Sequence, residues 1–198
     1  MAEMTAGGTL DRRAVVAGLL RDRGELLVIT GLGSPSYDVM AAGDHDGNFY
    51  LWAAMGSAAM VGLGLALARP DRPVMVVTGD GEQLMGFGAL ATIALRAPRN
   101  LSIVILDNGH FGETGMQPSH AGQGLEFSRV AEAIGFPKVD LVTDMQGVPP
   151  LRQRVQACES LNLAVVKIAA ENLPRALPPR DGVHVKNRFR MALGHAPA

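Results

Sequence analysis

Two short segments carry residue types that could do chemistry together. Gly79-Asp80-Gly81 follows the apolar run Val74-Met75-Val76-Val77-Thr78, and Asp107-Asn108-Gly109-His110 follows the apolar run Leu101 to Leu106. Glycines after a strand let backbone amides approach an anion, and a helix opening there favours negative charge. An aspartate in that place would repel a bare phosphate, but it fits if a divalent cation lies between. Magnesium takes hard oxygen ligands, typically one or two carboxylates plus phosphate oxygens. Residues 82 to 107, 26 in number, separate Gly81 from Asn108. That is one helix plus one strand, the crossover that sets two parallel strand ends side by side. Asp80 and Asn108 would then face one metal ion. Taken singly, each segment reads equally as an ordinary turn; the pair, at this spacing and on these elements, favours a site.

Other candidate chemistries are weaker. Gly31-Leu32-Gly33-Ser34-Pro35-Ser36 imitates part of a dinucleotide fingerprint, but its last glycine is missing and no acidic residue follows at the expected distance. A plain strand-to-helix turn is the better reading. The single cysteine, Cys158, excludes an internal disulfide, a cysteine-ligated iron–sulfur cluster and a Cys-rich zinc site within this chain. No paired base is evident, so it reads as a small core thiol.

The elements that must position these residues alternate. Helical spacing covers Leu10 to Arg23, Met55 to Ala68, Gln83 to Leu95, Phe127 to Ile134 and Leu151 to Glu159. Short apolar strands cover Leu26–Thr30, Asn48–Trp52, Val74–Thr78, Leu101–Leu106, Val139–Val142 and Leu163–Ile168. Alternation with continuous apolar strands predicts a mostly parallel sheet with helices on both faces, a Rossmann-like α/β fold. Ligands of such sheets bind outside the carboxyl ends of the strands, where both segments lie. A polar loop, Asp107 to Gly124, adds His110, Glu113, Thr114, Gln117 and His120 as candidates for substrate contact or proton relay.

Composition bounds the rest. At 198 residues with 47% hydrophobic content the chain can build one core, and disorder is not expected. The net charge of -1 gives no general case for nucleic acid or an anionic membrane. Gly47 to Arg69 is free of formal charge until its last residue, but Asn48, Ser57 and three glycines interrupt it. A buried strand and helix explain it better than a membrane span. With no secretory signal, a cytoplasmic setting is expected. Residues 1–171 read as one binding domain. Residues 172–198 read as a Pro-rich basic C-terminal tail, loose or partner-docking.

Gly79-Asp80-Gly81 with Asn108 after 26 residues resembles the thiamine diphosphate motif of the 2-oxo acid decarboxylase superfamily. The resemblance spans most of residues 25 to 170. It is closest to the diphosphate-binding (beta) subunits of sulfopyruvate and phosphonopyruvate decarboxylases, through Asn48-Phe49-Tyr50 ahead of Met55-Gly56, the run Leu90-Ala91-Thr92-Ile93, and Thr114-Gly115-Met116-Gln117. It implies that Asp80, the Asn108 side chain and the His110 backbone carbonyl bind Mg2+, which holds the diphosphate of thiamine diphosphate. Ala53, Met55, Gly79, Gly81, Glu82 and Phe111 join the cofactor site. Met55 would be the bulky apolar residue under the cofactor, and the backbone near Ala53 would accept from its aminopyrimidine. Asp107 stands where the family usually has Asn. Glu82 stands where many members carry Ser or Ala, so its carboxylate must point away from the diphosphate.

The resemblance also implies an activity: decarboxylation of a small 2-oxo acid to an aldehyde and CO2, with His110, Glu113 and His120 as candidate catalytic groups and Thr114 and Gln117 at the substrate. A carboligase of the acetolactate synthase kind and a non-catalytic cofactor-binding module are the alternatives. The family's activating glutamate comes from a separate pyrimidine-binding domain. None of the eight glutamates here sits in a second α/β unit. A pyrimidine-binding (alpha-type) partner subunit is therefore expected to supply it, in a hetero-oligomer such as a heterotetramer. Asp107 to Phe127 contains no Arg or Lys, so the loop offers no charge for a sulfonate or phosphonate.

Overall fold

The computed structural model describes residues 8–198. A six-stranded sheet runs in the order β2 (Asn48–Tyr50), β1 (Leu27–Thr30), β3 (Val74–Gly79), β4 (Leu101–Asp107), β8 (Asn162–Lys167), β7 (Lys138–Val142). Every neighbouring pair in it is parallel. The four central strands are buried almost throughout, which is why they read as continuous apolar runs.

Alternate residues of each strand face opposite ways, and two separate cores result. On one face Val28, Met75, Val77, Val104, Leu106 and Val166 pack beneath α1 (Arg12–Leu20), α2 (Ser34–Ala41) and α7 (Val148–Ala157). On the other, Leu27, Ile29, Val74, Val76, Ile103, Ile105, Leu163 and Val165 pack beneath α3 (Ala58–Ala68), α5 (Ala89–Arg96), α6 (Phe127–Ala133) and α8 (Gly182–Ala192). The stretch from Gly47 to Arg69 is β2, a turn and α3; among the described residues no helix is long and apolar enough to cross a membrane.

The helix after β1 covers one face, while those after β3 cover the other. The order of β2, β1 and β3 reverses between β1 and β3, so the strand ends diverge there and leave a crevice, the usual ligand position of an open α/β sheet.

The strand-to-helix turn read after β1 is borne out: it opens directly into α2, with Pro35 in its first turn. Three details differ from the sequence reading. The single helix expected from Gln83 to Leu95 is two, α4 (Asp80–Met85) and α5, broken at Gly86-Phe87-Gly88. The break follows from a backbone crossing: a Cβ on Gly86 would lie 2.0 Å from the Gly56 carbonyl oxygen. The loop after β4 holds a small antiparallel hairpin, β5 (His110–Phe111) with β6 (Gln117–Pro118). Finally, the tail is not loose. Asp181 caps α8 by accepting from the Val183 and His184 amides. Phe189 is buried edge-on against Phe49, ring centroids 5.5 Å apart. Arg188 pairs with Asp44 at 2.6 Å.

Candidate active site

A cavity of about 340 Å³ occupies the crevice. The β1–α2 turn contributes Leu32, Ser34 and Pro35; the end of β3 contributes Gly79, Asp80, Gly81 and Glu82; the end of β4 and its loop contribute Asn108, His110, Phe111, Gly112, Glu113, Thr114 and Gln117. Gly79 pairs in register with Leu106, so Asp80 and Asn108 leave adjacent strands at nearly the same level. Both are buried. The Asn108 backbone amide is among the groups that favour Asp80 ionised.

Asp80 is a buried carboxylate. Burial, before all else, pushes its pKa up to about 6, with the charge on Asp107 adding to the rise and the Ser119 hydrogen bond opposing it. Ser119 donates to Oδ2 in a short hydrogen bond, which fixes the carboxylate's rotation. Among the described residues no three His, Cys, Asp or Glu side chains converge on one point. A metal here would rest on one carboxylate with amide and carbonyl oxygens, a hard-oxygen set suited to magnesium. Asn108 Oδ1 accepts from the His110 amide at 3.0 Å, and the His110 ring Nδ1 lies 2.8 Å from the Asn108 carbonyl. This closed turn holds the side-chain oxygen at the cavity and leaves a lone pair on it.

Asp107 has a structural task. Its Oδ1 accepts from the Gly109 amide at 2.9 Å, and its Oδ2 pairs with Lys167 of β8 at 2.5 Å. The extra charge relative to an asparagine is thus matched by a neighbour in register.

Glu82 lines the cavity, and its carboxylate is held by local donors. It accepts from Thr78 Oγ1 at 2.6 Å and from the Gly56 amide at 3.3 Å. Burial raises its pKa, and these donors oppose the rise. A Cβ on Gly31 would fall 1.5 Å from this carboxylate. The first glycine of the partial fingerprint therefore makes room for Glu82.

The mouth is open. Met55 is 43% exposed at its edge. It follows two alanines with positive φ, Ala53 at 122° and Ala54 at 52°, a conformation that costs on the order of 1–3 kcal/mol per residue. Ala53 lies beside the cavity and is not part of its lining. Phe111 packs so closely over Gly81 that a Cβ there would meet its ring at 2.6 Å.

Of the expected catalytic groups, His110 and Glu113 line the cavity and His120 does not. His120 is exposed and outside the cavity lining; its neighbour Ser119 is the buried residue that reaches Asp80. Glu113 stands at the rim, paired with Arg175 at 3.0 Å. Ser119, Lys167, Arg12 and Met85 were not legible as site residues. Ser119 lies 39 residues from Asp80 and Lys167 lies 60 from Asp107, and no local pattern links either pair.

A parallel sheet that sets a buried carboxylate and an amide side by side at a glycine-lined cavity is an α/β domain with a ligand crevice at its strand ends. The chain belongs to the thiamine pyrophosphate enzymes: residues 39–175 match the family described as thiamine pyrophosphate enzyme, C-terminal TPP binding domain. It is 30% identical over 190 residues to the sulfopyruvate decarboxylase subunit beta of Methanococcus maripaludis, covering 93% of this chain and 98% of that one. It is 32% identical over 182 residues to the sulfopyruvate decarboxylase of Methanosarcina acetivorans, covering 92% of this chain but 47% of that protein. The chain thus spans about half the length of the latter relative. The fold is shared with benzoylformate decarboxylase from Polynucleobacter necessarius, with a TM-score of 0.69 at 20% identity over 88% of this chain and 36% of that one.

Proposed function

We propose that this chain is the diphosphate- and magnesium-binding subunit of a thiamine diphosphate-dependent decarboxylase acting on a small 2-oxo acid of the sulfopyruvate or phosphonopyruvate kind, giving an aldehyde and CO2 in the cytoplasm. The observation that carries this reading is the juxtaposition of Asp80 and Asn108 at the floor of the cavity. Asp80, the Asn108 side-chain oxygen and the His110 carbonyl would hold Mg2+. Thiamine diphosphate, when bound, supplies the carbon nucleophile and the electron sink for loss of CO2. Met55 would support the cofactor from the rim, with Gly79, Gly81, Glu82 and Phe111 forming the rest of its bed. Thr114 and Gln117, joined by a 2.8 Å hydrogen bond at the mouth, would meet the substrate. His110 is the candidate for moving a proton there.

The expectation of a partner has physical support. Both glutamates of the cavity are engaged, Glu82 by Thr78 and Gly56 and Glu113 by Arg175. Exposed apolar side chains stand at the rim, Met55 and Met85, and elsewhere on the surface, Phe87, Met60 and Leu67 of α3 and Leu95 of α5. A helix that is apolar all round belongs inside a larger assembly. A pyrimidine-binding subunit covering the rim would supply the glutamate and exclude water.

The test is an assay of CO2 and aldehyde release with the chain alone and with an alpha-type subunit that carries the glutamate. Activity is expected only in the mixture, and only with both cofactors. Full turnover by the isolated chain would defeat the partner reading. Release of a condensed hydroxyketone in place of the aldehyde would establish carboligation, and cofactor binding without turnover in the mixture would leave a binding module.

A further inference from the structure

We infer that Arg12 is an oxyanion ligand of this site, held ready to contact the terminal phosphate of the diphosphate; the inference rests on the cofactor reading above. Arg12 opens α1, far in sequence from every motif of the site, yet it lines the cavity beside Ser34 and Pro35. It is 6% exposed. Its Nε donates to Asp38 Oδ2 of α2 at 2.6 Å. Among the described residues that is its one side-chain hydrogen bond, although a guanidinium carries five N–H donors. Among the described residues, the terminal nitrogens, with four of those donors, have no protein acceptor.

A mostly buried guanidinium that lines the cavity with four unpaired donors can offer them to an anion there. Asp38 also faces Arg13 Nε at 3.7 Å. Asp38 is thus shared between two guanidiniums. The N-cap of the neighbouring α2 is Gly33, at φ 82°, which leaves the Ser34 amide without a side-chain cap. Asp80 and Asn108, which line the same cavity, offer the cation site. A diphosphate held there through magnesium would share that lining with Arg12. The planar fork of arginine suits that contact, and Asp38 acts as the positioning residue that fixes its plane.

The probe is inorganic pyrophosphate with magnesium, titrated calorimetrically into the full chain. Three variants are compared: Arg12→Gln, Arg12→Lys, and Arg12→Gln with Asp38→Asn, which avoids leaving Asp38 buried without its partner. Melting curves confirm that each folds. Pyrophosphate affinity should fall on the order of 10- to 100-fold in both Gln variants. Arg12→Lys, which keeps the charge and loses the fork, should fall between them and wild type. Thiamine diphosphate, titrated in the presence of the partner subunit, should follow the same order. Unchanged pyrophosphate affinity in the folded double variant would overturn the assignment. So would a defect confined to KM for the 2-oxo acid, which would place the anion on the substrate. Wild-type chain that binds no magnesium pyrophosphate would overturn the cofactor reading together with this one.

Discussion

Asp80 is held from two sides before any cofactor arrives. Ser119 engages one oxygen, and the strand register sets Asn108 beside it. Burial makes its charge expensive, so a divalent cation gains from meeting it. Ser119 is the less obvious half of this arrangement. Ser119→Ala removes the donor but leaves the backbone path unchanged, so the carboxylate should lose its fixed orientation. We expect magnesium-dependent cofactor affinity to weaken by roughly tenfold, the scale of one charge-assisted hydrogen bond. Calorimetry reads this directly, and affinity equal to wild type would show that Ser119 does not orient Asp80. The Asp107–Lys167 pair works in the same way one strand further on. An aspartate at that position is tolerable because β8 places an ammonium opposite it and because Gly109 needs an acceptor.

At the level of elements, the site depends on where chain segments cross. Gly56 has a φ of 88°, and Gly86 lies against it with no room for a Cβ. That contact ends α4, and it holds the turn bearing Met55 over the cavity. Gly86→Ala should therefore displace both segments and lower the melting temperature. Gly88, two residues on, has open space and a φ of -63°, so Gly88→Ala should be neutral or slightly stabilising. Thermal melts of the two variants separate a specific crossing from a general intolerance of the loop. Equal effects would contradict the crossing. The alternation of strands and helices was legible in the sequence because buried parallel strands are apolar throughout, as Val74–Thr78 and Leu101–Leu106 are. The split of the Gln83–Leu95 helix was not. Its cause is a backbone 30 residues upstream, and Leu84, Phe87, Leu90 and Ala91 keep helical spacing across the break. The motif segments were legible for a different reason, since metal and phosphate chemistry restricts residue types at fixed strand ends.

For the molecule as a whole, the C-terminal segment changes meaning most. Its prolines and basic residues suggested an arm, but the amphipathic stretch from Gly182 carries Val185 and Phe189 into the core over β2. Between this helix and the sheet the chain crosses the site. Asn172 donates to the Gly112 carbonyl, Arg175 pairs with Glu113 and lies over the Tyr37 ring, and Trp52 donates to the Pro179 carbonyl. The tail thus braces the active-site loop from outside. Phe189→Ala should cost about 3–5 kcal/mol. In a chain of this size each kcal/mol lowers the melting temperature by roughly 2–4 °C. Differential scanning calorimetry would register the loss, and a melting temperature within a degree of wild type would show that the helix is not part of the core.

The central claim is that this chain holds the diphosphate end of thiamine diphosphate through magnesium at Asp80 and Asn108. Titration of thiamine diphosphate into the chain with its partner subunit, with and without magnesium, tests it in wild type and in Asp80→Ala. Wild type is expected to bind only when magnesium is present, and Asp80→Ala is expected to show no magnesium-dependent binding while retaining its fold. Binding of equal affinity in Asp80→Ala, or in wild type stripped of divalent cations, would contradict the account.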